Sequence, residues 1–145
     1  MAPLQKRSLY SLGIGIILAL ALLAVFLIKG DVTTFDEDLG FRLIVYALWI
    51  GVPLVYLILV NLTLHKPKQI DERDRLIMDR AAKTQSQAVL FTLVAWIIVL
   101  TETYWEQGQM PIVFLTIILI SIMVISTLAL SIGILIGYWR MGRNG

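Results

Sequence analysis

Residues 65–83 read HKPKQIDERDRLIMDRAAK and decide how the chain is organised. This stretch carries ten of the twenty-two charged residues, and long apolar runs flank it on both sides. A charged side chain at the centre of a bilayer costs about 2.5–3.5 kcal/mol on insertion scales. The stretch therefore lies in water or among lipid headgroups, and it divides the chain into two hairpins.

Charges of alternating sign recur every four positions in this stretch. They are Asp71, Arg75, Asp79 and Lys83. The spacing stacks them on one face of a helix, where each opposite pair contributes about 0.2–0.5 kcal/mol. Pro67 suits the start of such a helix and not its interior. The pattern predicts an amphipathic helix over about 70–85 that continues into the next apolar run.

The opposite face of this helix is apolar. At about 100° per residue it holds Ile70, Ile77, Met78 and Ala81. Arg73 and Asp74 fall on the same side. Two interpretations stay open: either the charges of the helix are all solvated, or Arg73 and Asp74 are buried against a partner or a neighbouring helix end.

The composition is that of an integral membrane protein with a single domain over residues 1–145. Hydrophobic residues make up 59% of the chain and charged residues 15%, and the mean hydropathy is +0.85. Soluble domains have about 45–50% and 25% instead. The chain has no cysteine, which excludes disulfides, thiolate metal sites and thiol catalysis. A net charge of +2 gives no reason to expect a nucleic-acid partner.

Four apolar segments are long enough to cross a bilayer, because a helix of about 20 residues spans about 30 Å. The predicted spans cover residues 9–28, 41–64, 86–105 and 111–139. The first is longer than the apolar core of a signal peptide, which has about 7–15 residues, so we interpret it as an uncleaved span. Residues 29–40 are predicted to form a loop whose acidic cluster precedes the second span.

The distribution of Lys and Arg predicts the orientation. Four spans place both termini and residues 65–83 on one side, which carries ten basic residues, whereas the other side carries only Lys29 and Arg42. The positive-inside rule makes the basic side cytoplasmic. The expected fold is an all-α, four-helix bundle of two transmembrane hairpins in the inner (cytoplasmic) membrane, with both termini in the cytoplasm.

Three features inside the spans bear on function. Gly51 and Pro53 lie near the middle of the second span, where proline kinks a helix either for packing or as the hinge of a transporter. Asn61 is predicted to bond to a neighbouring helix. Glu102 is placed at headgroup level, although a deeper position would make it a candidate for proton coupling.

Small residues form a stripe along the fourth span with a spacing of three, four and four. They are Ser126, Ala129, Gly133 and Gly137. Such a stripe lets two helices approach closely. Packing within this chain is the first interpretation, and association between copies is the second.

The sequence holds no recognisable catalytic, cofactor or metal site. Gly13 and Gly15 lie inside a span and not in a phosphate-binding loop, and His65 is the only histidine. Small four-span multidrug exporters resemble the chain in size and span count, but they depend on a glutamate in the first helix, and residues 9–28 have none. We therefore expect a protein that is not an enzyme and that has no cofactor.

The run DERDRLI at Asp71–Ile77, followed by Ala81 and Ala82, resembles the signature of a family of small uncharacterised prokaryotic membrane proteins. Members have about four spans and a DERD segment between the second and the third. The resemblance covers the topology of the whole chain and implies no activity, substrate or cofactor. It singles out Asp71, Glu72, Arg73, Asp74 and Arg75.

Three hypotheses about function follow. The first is an accessory subunit or membrane regulator, not an enzyme, that docks a membrane or cytoplasmic protein partner, or another copy of itself, through residues 70–83. The alternative is a small transporter or channel subunit that works as an oligomer and uses Gly51, Pro53, Asn61 and Glu102. The third is an enzyme or a cofactor carrier, with haem bound by His65 and a methionine.

Overall fold

The structure is a computed structural model that describes residues 2–30, 32–63 and 71–143. These residues form four long helices and one short helix, and they contain no strand, so the all-α class is confirmed. The helices are α1 (Pro3–Lys29), α2 (Val32–Glu37), α3 (Leu39–Thr63), α4 (Glu72–Tyr104) and α5 (Val113–Arg143). The predictions for His65, Pro67 and Ile70 lie outside the described residues.

Within the described part of the chain, three helical segments are long and apolar enough to cross a membrane. They are Pro3–Lys29, Glu72–Tyr104 and Val113–Gly142, and α3 contributes a shorter apolar stretch, Leu39–Val55. Large apolar side chains point outward on these helices, among them Phe91 on α4, which is 74% exposed. A continuous exposed apolar surface of this kind is typical of a membrane protein.

The predicted loop over 29–40 contains a helix, α2, which is a correction to the sequence analysis. Gly30 ends α1 at a φ of +120°, a conformation that favours glycine, and its N–H donates to the carbonyl of Phe26. The chain then turns into α2 because Phe35, 2% exposed, is buried between the rings of Phe26 and Phe41. This burial depends on contacts with other helices, which local sequence does not show.

The aromatic rings at this end form a group that we call the aromatic cap: Phe26, Phe35, Phe41 and Tyr46. Ring centroids in the cap are 5.1–6.3 Å apart, and most pairs meet edge to face, as aromatic quadrupoles prefer. The cap belongs to a larger buried core that α1, α2, α3 and α5 share. Its buried members are Leu18, Leu22, Phe35, Phe41, Val45, Val113 and Ile120.

Helix α4 runs without a break from the charged stretch to Tyr104, the residue before its C-cap. Asp71 caps its first turn, because a carboxylate oxygen accepts from the backbone N–H of Glu72 at 2.8 Å. Glu72 and Asp74 then place negative charge in the first turn, where the helix dipole favours it. The charged and the apolar parts of residues 71–104 therefore belong to one continuous helix.

A short turn joins α4 to α5. Gly108 has a φ of +64°, and its N–H donates to the carbonyl of Tyr104. The carbonyl of Pro111 accepts from the N–H of Phe114, so the first turn before α5 is tight. The span predicted to begin at residue 111 thus begins as a regular helix at Val113.

Helix α5 is central among the described residues. It packs along α4 on one side and along α1 on another, and α1 in turn packs along α3. The short helix α2 contacts α3 and α5. A hydrogen bond from Trp49 Nε1 to Met123 Sδ, 3.0 Å long, also ties α3 to α5.

Candidate functional site

The start of α4 is pressed against α5 at the two glycines of the small-residue stripe. A Cβ placed on Gly133 would lie 3.0 Å from both Cα and Cβ of Ala81, and one on Gly137 would lie 2.7 Å from Cγ2 of Ile77. Ile77 and Ala81 are each 1% exposed. Only residues without a Cβ permit this approach, so we call the contact the glycine seam and define it by Ile77, Ala81, Gly133 and Gly137.

Polar side chains bond across α4 and α5 at three levels. The Tyr138 hydroxyl donates to a carboxylate oxygen of Asp74 beside the glycine seam. Further along, Gln85 Nε2 donates to Ser126 Oγ at 2.6 Å. Trp96 Nε1 donates to Ser121 Oγ at 2.8 Å. Interhelical bonds of this kind contribute about 0.6 kcal/mol each on average in membranes, so they fix the register of α4 on α5 more than they add stability.

The small-residue stripe is used inside the chain. Ser126, Gly133 and Gly137 all contact α4. Ala129, the fourth member of the stripe, is half-buried. Another side of α5 packs closely against α1. A Cβ placed on the buried Gly15 would lie 3.0 Å from Cδ2 of Leu128.

The two charges that fall on the apolar side of α4 are placed differently. Asp74 is half-buried and bonded to Tyr138, whereas Arg73 is exposed. Tyr138 follows Gly137 on α5, and its hydroxyl satisfies a carboxylate that would otherwise be costly to desolvate. The sequence analysis did not single out Tyr138. The position of Asp74 on the apolar face of a helix was the signal for such a partner, because a half-buried carboxylate requires a hydrogen-bond donor.

The remaining charges of the described segment form an exposed surface, which we call the charged ridge. Its members are Asp71, Glu72, Arg73, Arg75, Asp79, Arg80 and Lys83. The glycine seam holds the opposite face of the same helix, and Arg73 lies at the border between the two faces. The ridge therefore presents charges of both signs on a helix whose other face is packed against α5.

Among the residues of the transporter hypothesis whose side chains the structure describes, Glu102 lies on a different helix from Gly51 and Pro53. Pro53 lies inside α3, where its missing N–H leaves the carbonyl of Trp49 without a helical partner. Gly51 is half-buried, and a Cβ there would meet no atom within 4 Å. Glu102 is exposed in the last turn of α4. The side chain of Asn61 lies outside the described part of the chain.

A cavity of about 370 Å³ lies between the four long helices. Pro53 and Trp49 form part of its wall on α3, and Gln85 contributes from α4. Its volume is in the range of small-molecule pockets, about 300–1,000 Å³.

Residues 2–30, 32–63 and 71–143 contain no cluster of three acidic, His or Cys side chains that would hold a metal ion. Comparison of the chain with models of protein families, with curated proteins and with solved structures finds no match. Its function is therefore inferred from its own geometry.

Proposed function

We propose that the chain crosses the inner (cytoplasmic) membrane four times, with both termini and the charged ridge in the cytoplasm. Three helices have the length and composition for this, and α3, with 25 residues, is about 37 Å long. The excess of Lys and Arg, ten against two, supports this orientation. The DERD segment that resembles the small prokaryotic membrane protein family is then the cytoplasmic start of α4.

In this topology the protein is a non-enzymatic accessory subunit or membrane regulator that docks a protein partner on the charged ridge. The observation that carries the proposal is the contrast between the two faces of one helix. Ile77 and Ala81 are buried in the glycine seam, whereas Glu72, Arg73 and Arg75 are exposed. A prepositioned surface loses little entropy on binding, which is an advantage for recognition.

The ridge suits a protein more than a lipid surface. Anionic headgroups attract clusters of Lys and Arg, and acidic residues beside them would weaken that attraction. Here Asp71, Glu72 and Asp79 alternate with the basic residues. A partner with a complementary mixed pattern, membrane-bound or cytoplasmic, gains specificity from both signs.

The test is a photo-crosslinker at Leu76, which is 53% exposed within the ridge, in native membranes. We expect one discrete crosslinked protein, lost when Arg73→Glu and Arg75→Glu are combined and retained when Lys6→Glu and Arg140→Glu are combined. The control pair is exposed and has the same charge change. A crosslink that survives the reversal at 73 and 75 contradicts docking on the ridge. Asp74 is left intact because it is bonded to Tyr138.

A transporter or channel subunit working as an oligomer is the second candidate, and the cavity between the four helices favours it. Reconstitution of the purified protein in liposomes, with a panel of ions and amphiphilic drugs, tests it. Flux that Pro53→Ala changes supports this candidate, and no flux across the panel counts against it.

A further inference from the structure

The cavity between the four long helices combines an apolar wall with a single charged group. Of the described residues that line it, Arg7 alone carries a charge. The apolar lining runs from Leu4 beside Arg7 to Leu18 on α1, and α3 closes it with Val52 and Pro53. The cavity is therefore cationic at one end and apolar along its length.

Three of the four described hydroxyls that line the cavity are already engaged as donors, and the fourth, Ser11, is uncharged. The hydroxyls of Ser8, Thr127 and Ser131 already donate to the backbone carbonyls of Leu4, Met123 and Thr127, at 2.8–3.0 Å. Gln85 donates to Ser126. The guanidinium of Arg7 is thus the group that would select an anion, and a guanidinium matches the oxygens of a phosphate in two places at once.

The length of the cavity matches half a bilayer. From Arg7 to Leu18, α1 rises about 16 Å, and the hydrocarbon core of a bilayer is about 30 Å thick. In the topology proposed above, Arg7 lies at the cytoplasmic headgroups and Leu18 near the midplane. The cavity has the depth of one acyl chain in the cytoplasmic leaflet.

We propose that the cavity is a binding site for one anionic phospholipid of the cytoplasmic leaflet. One acyl chain lies between α1, α3 and α5, and the phosphate contacts Arg7. The site rests on the membrane placement of the chain but not on docking at the charged ridge, which shares no residue with it. A change at Arg7 therefore leaves the ridge and its crosslink as they are.

The test uses native mass spectrometry of protein released from nanodiscs that hold equal amounts of phosphatidylglycerol and phosphatidylcholine. We expect the wild type to retain one phosphatidylglycerol, with a preference over phosphatidylcholine of about tenfold. Both lipids carry the phosphate, but the quaternary ammonium of phosphatidylcholine cancels its net charge and is repelled by Arg7. Arg7→Gln abolishes the preference, and Arg7→Lys retains most of it. Lys6→Gln, which removes an exposed neighbouring charge outside the cavity, leaves it unchanged.

A second variant tests the cavity apart from the charge. Ser11 lines the cavity and is half-buried, so Ser11→Phe fills the space for an acyl chain. We expect this variant to retain neither lipid. The proposal is overturned if Arg7→Gln keeps the preference, if Lys6→Gln loses it equally, if Ser11→Phe still retains the lipid, or if a free fatty acid is retained in place of a phospholipid.

Discussion

The two ends of the molecule are held together in different ways. At the end where α1 turns into α2, the aromatic cap fills space between α1, α2 and α3 with large rings, and Phe35 and Phe41 are almost completely buried. At the cytoplasmic end of the proposed topology, the glycine seam brings α4 and α5 into backbone contact, with Gly133 against Ala81. Packing at the aromatic cap depends on large side chains, whereas packing at the glycine seam depends on residues that have none.

This difference teaches which end can present a functional surface. At the aromatic cap, the rings that pack together come from both sides of the turn at Gly30: Phe26 precedes it, and Phe35 and Phe41 follow it. The glycine seam uses only one narrow face of α4, so the other face is free to carry charge without loss of packing. The polar bond from Tyr138 to Asp74 then fixes the first turn of α4 at the edge of the seam.

The largest effect is expected at the aromatic cap. Phe35→Ala removes a buried ring that contacts Phe26 and Phe41, and we expect a loss of about 3–5 kcal/mol in the free energy of unfolding. Unfolding in mixed micelles measures it. Phe91→Ala, at a ring that is exposed on α4, is the matched control and should change stability by less than about 0.5 kcal/mol. Equal losses would show that the cap is not a core.

The second-largest loss of stability is expected when a side chain is added in the glycine seam. Gly133→Leu forces a side chain against the backbone of Ala81, which cannot rotate away, so we expect a loss of about 1–3 kcal/mol. Gly13→Leu is the control, because a Cβ there meets nothing within 4 Å. The same unfolding measurement compares the two variants. A destabilisation by Gly13→Leu as large as that by Gly133→Leu would contradict a close contact at the seam.

The bond between Tyr138 and Asp74 should contribute less. A double-mutant cycle with Tyr138→Phe and Asp74→Ala is expected to give a coupling free energy of about 0.6–1.7 kcal/mol, between the average and the maximum for bonds between membrane helices. Tyr10→Phe, at an exposed tyrosine of α1, should not couple to Asp74→Ala. Coupling no greater than that of Tyr10 would mean that the bond does not hold the first turn of α4.

The smallest effect on stability is expected on the charged ridge. Arg73→Glu with Arg75→Glu changes only exposed side chains, so the free energy of unfolding should shift by less than about 0.5 kcal/mol while the crosslink at Leu76 is lost. A loss of stability comparable to that of Gly133→Leu would show that the ridge serves the fold and would remove the reason to separate it from the seam.

Local sequence predicted the parts of the fold that depend on local chemistry. Long apolar runs and the four-residue spacing of charges led to helices, and α4 does continue from the charged stretch into an apolar segment. Helix α2 could not be predicted because Phe35 is buried by Phe26 and Phe41 from other helices.

Pairings over long distances in sequence were also beyond reach. A step of about 100° per residue placed Arg73 and Asp74 on the same side of α4. Asp74 accepts a hydrogen bond from Tyr138, 64 positions away, whereas Arg73 is exposed. The cavity arises from the way in which four helices fail to fill the space between them. No single segment indicates it, because its lining comes from all four long helices.

The glycine seam is the central claim, and one disulfide tests it directly. The chain has no cysteine, so Ala81→Cys with Gly133→Cys introduces the only two thiols. Their Cβ positions are 3.0 Å apart, so the Cβ added at position 133 forces the two helices apart by about half an ångström, and that shift brings the pair into the 3.5–4.5 Å range of a disulfide. Mild oxidation in native membranes should give a crosslink within one chain, seen as a faster, reducible monomer band, while Ala82→Cys with Gly133→Cys stays reduced. No crosslink for the first pair, or a crosslinked dimer, would place the glycines against something other than α4 and would contradict the account.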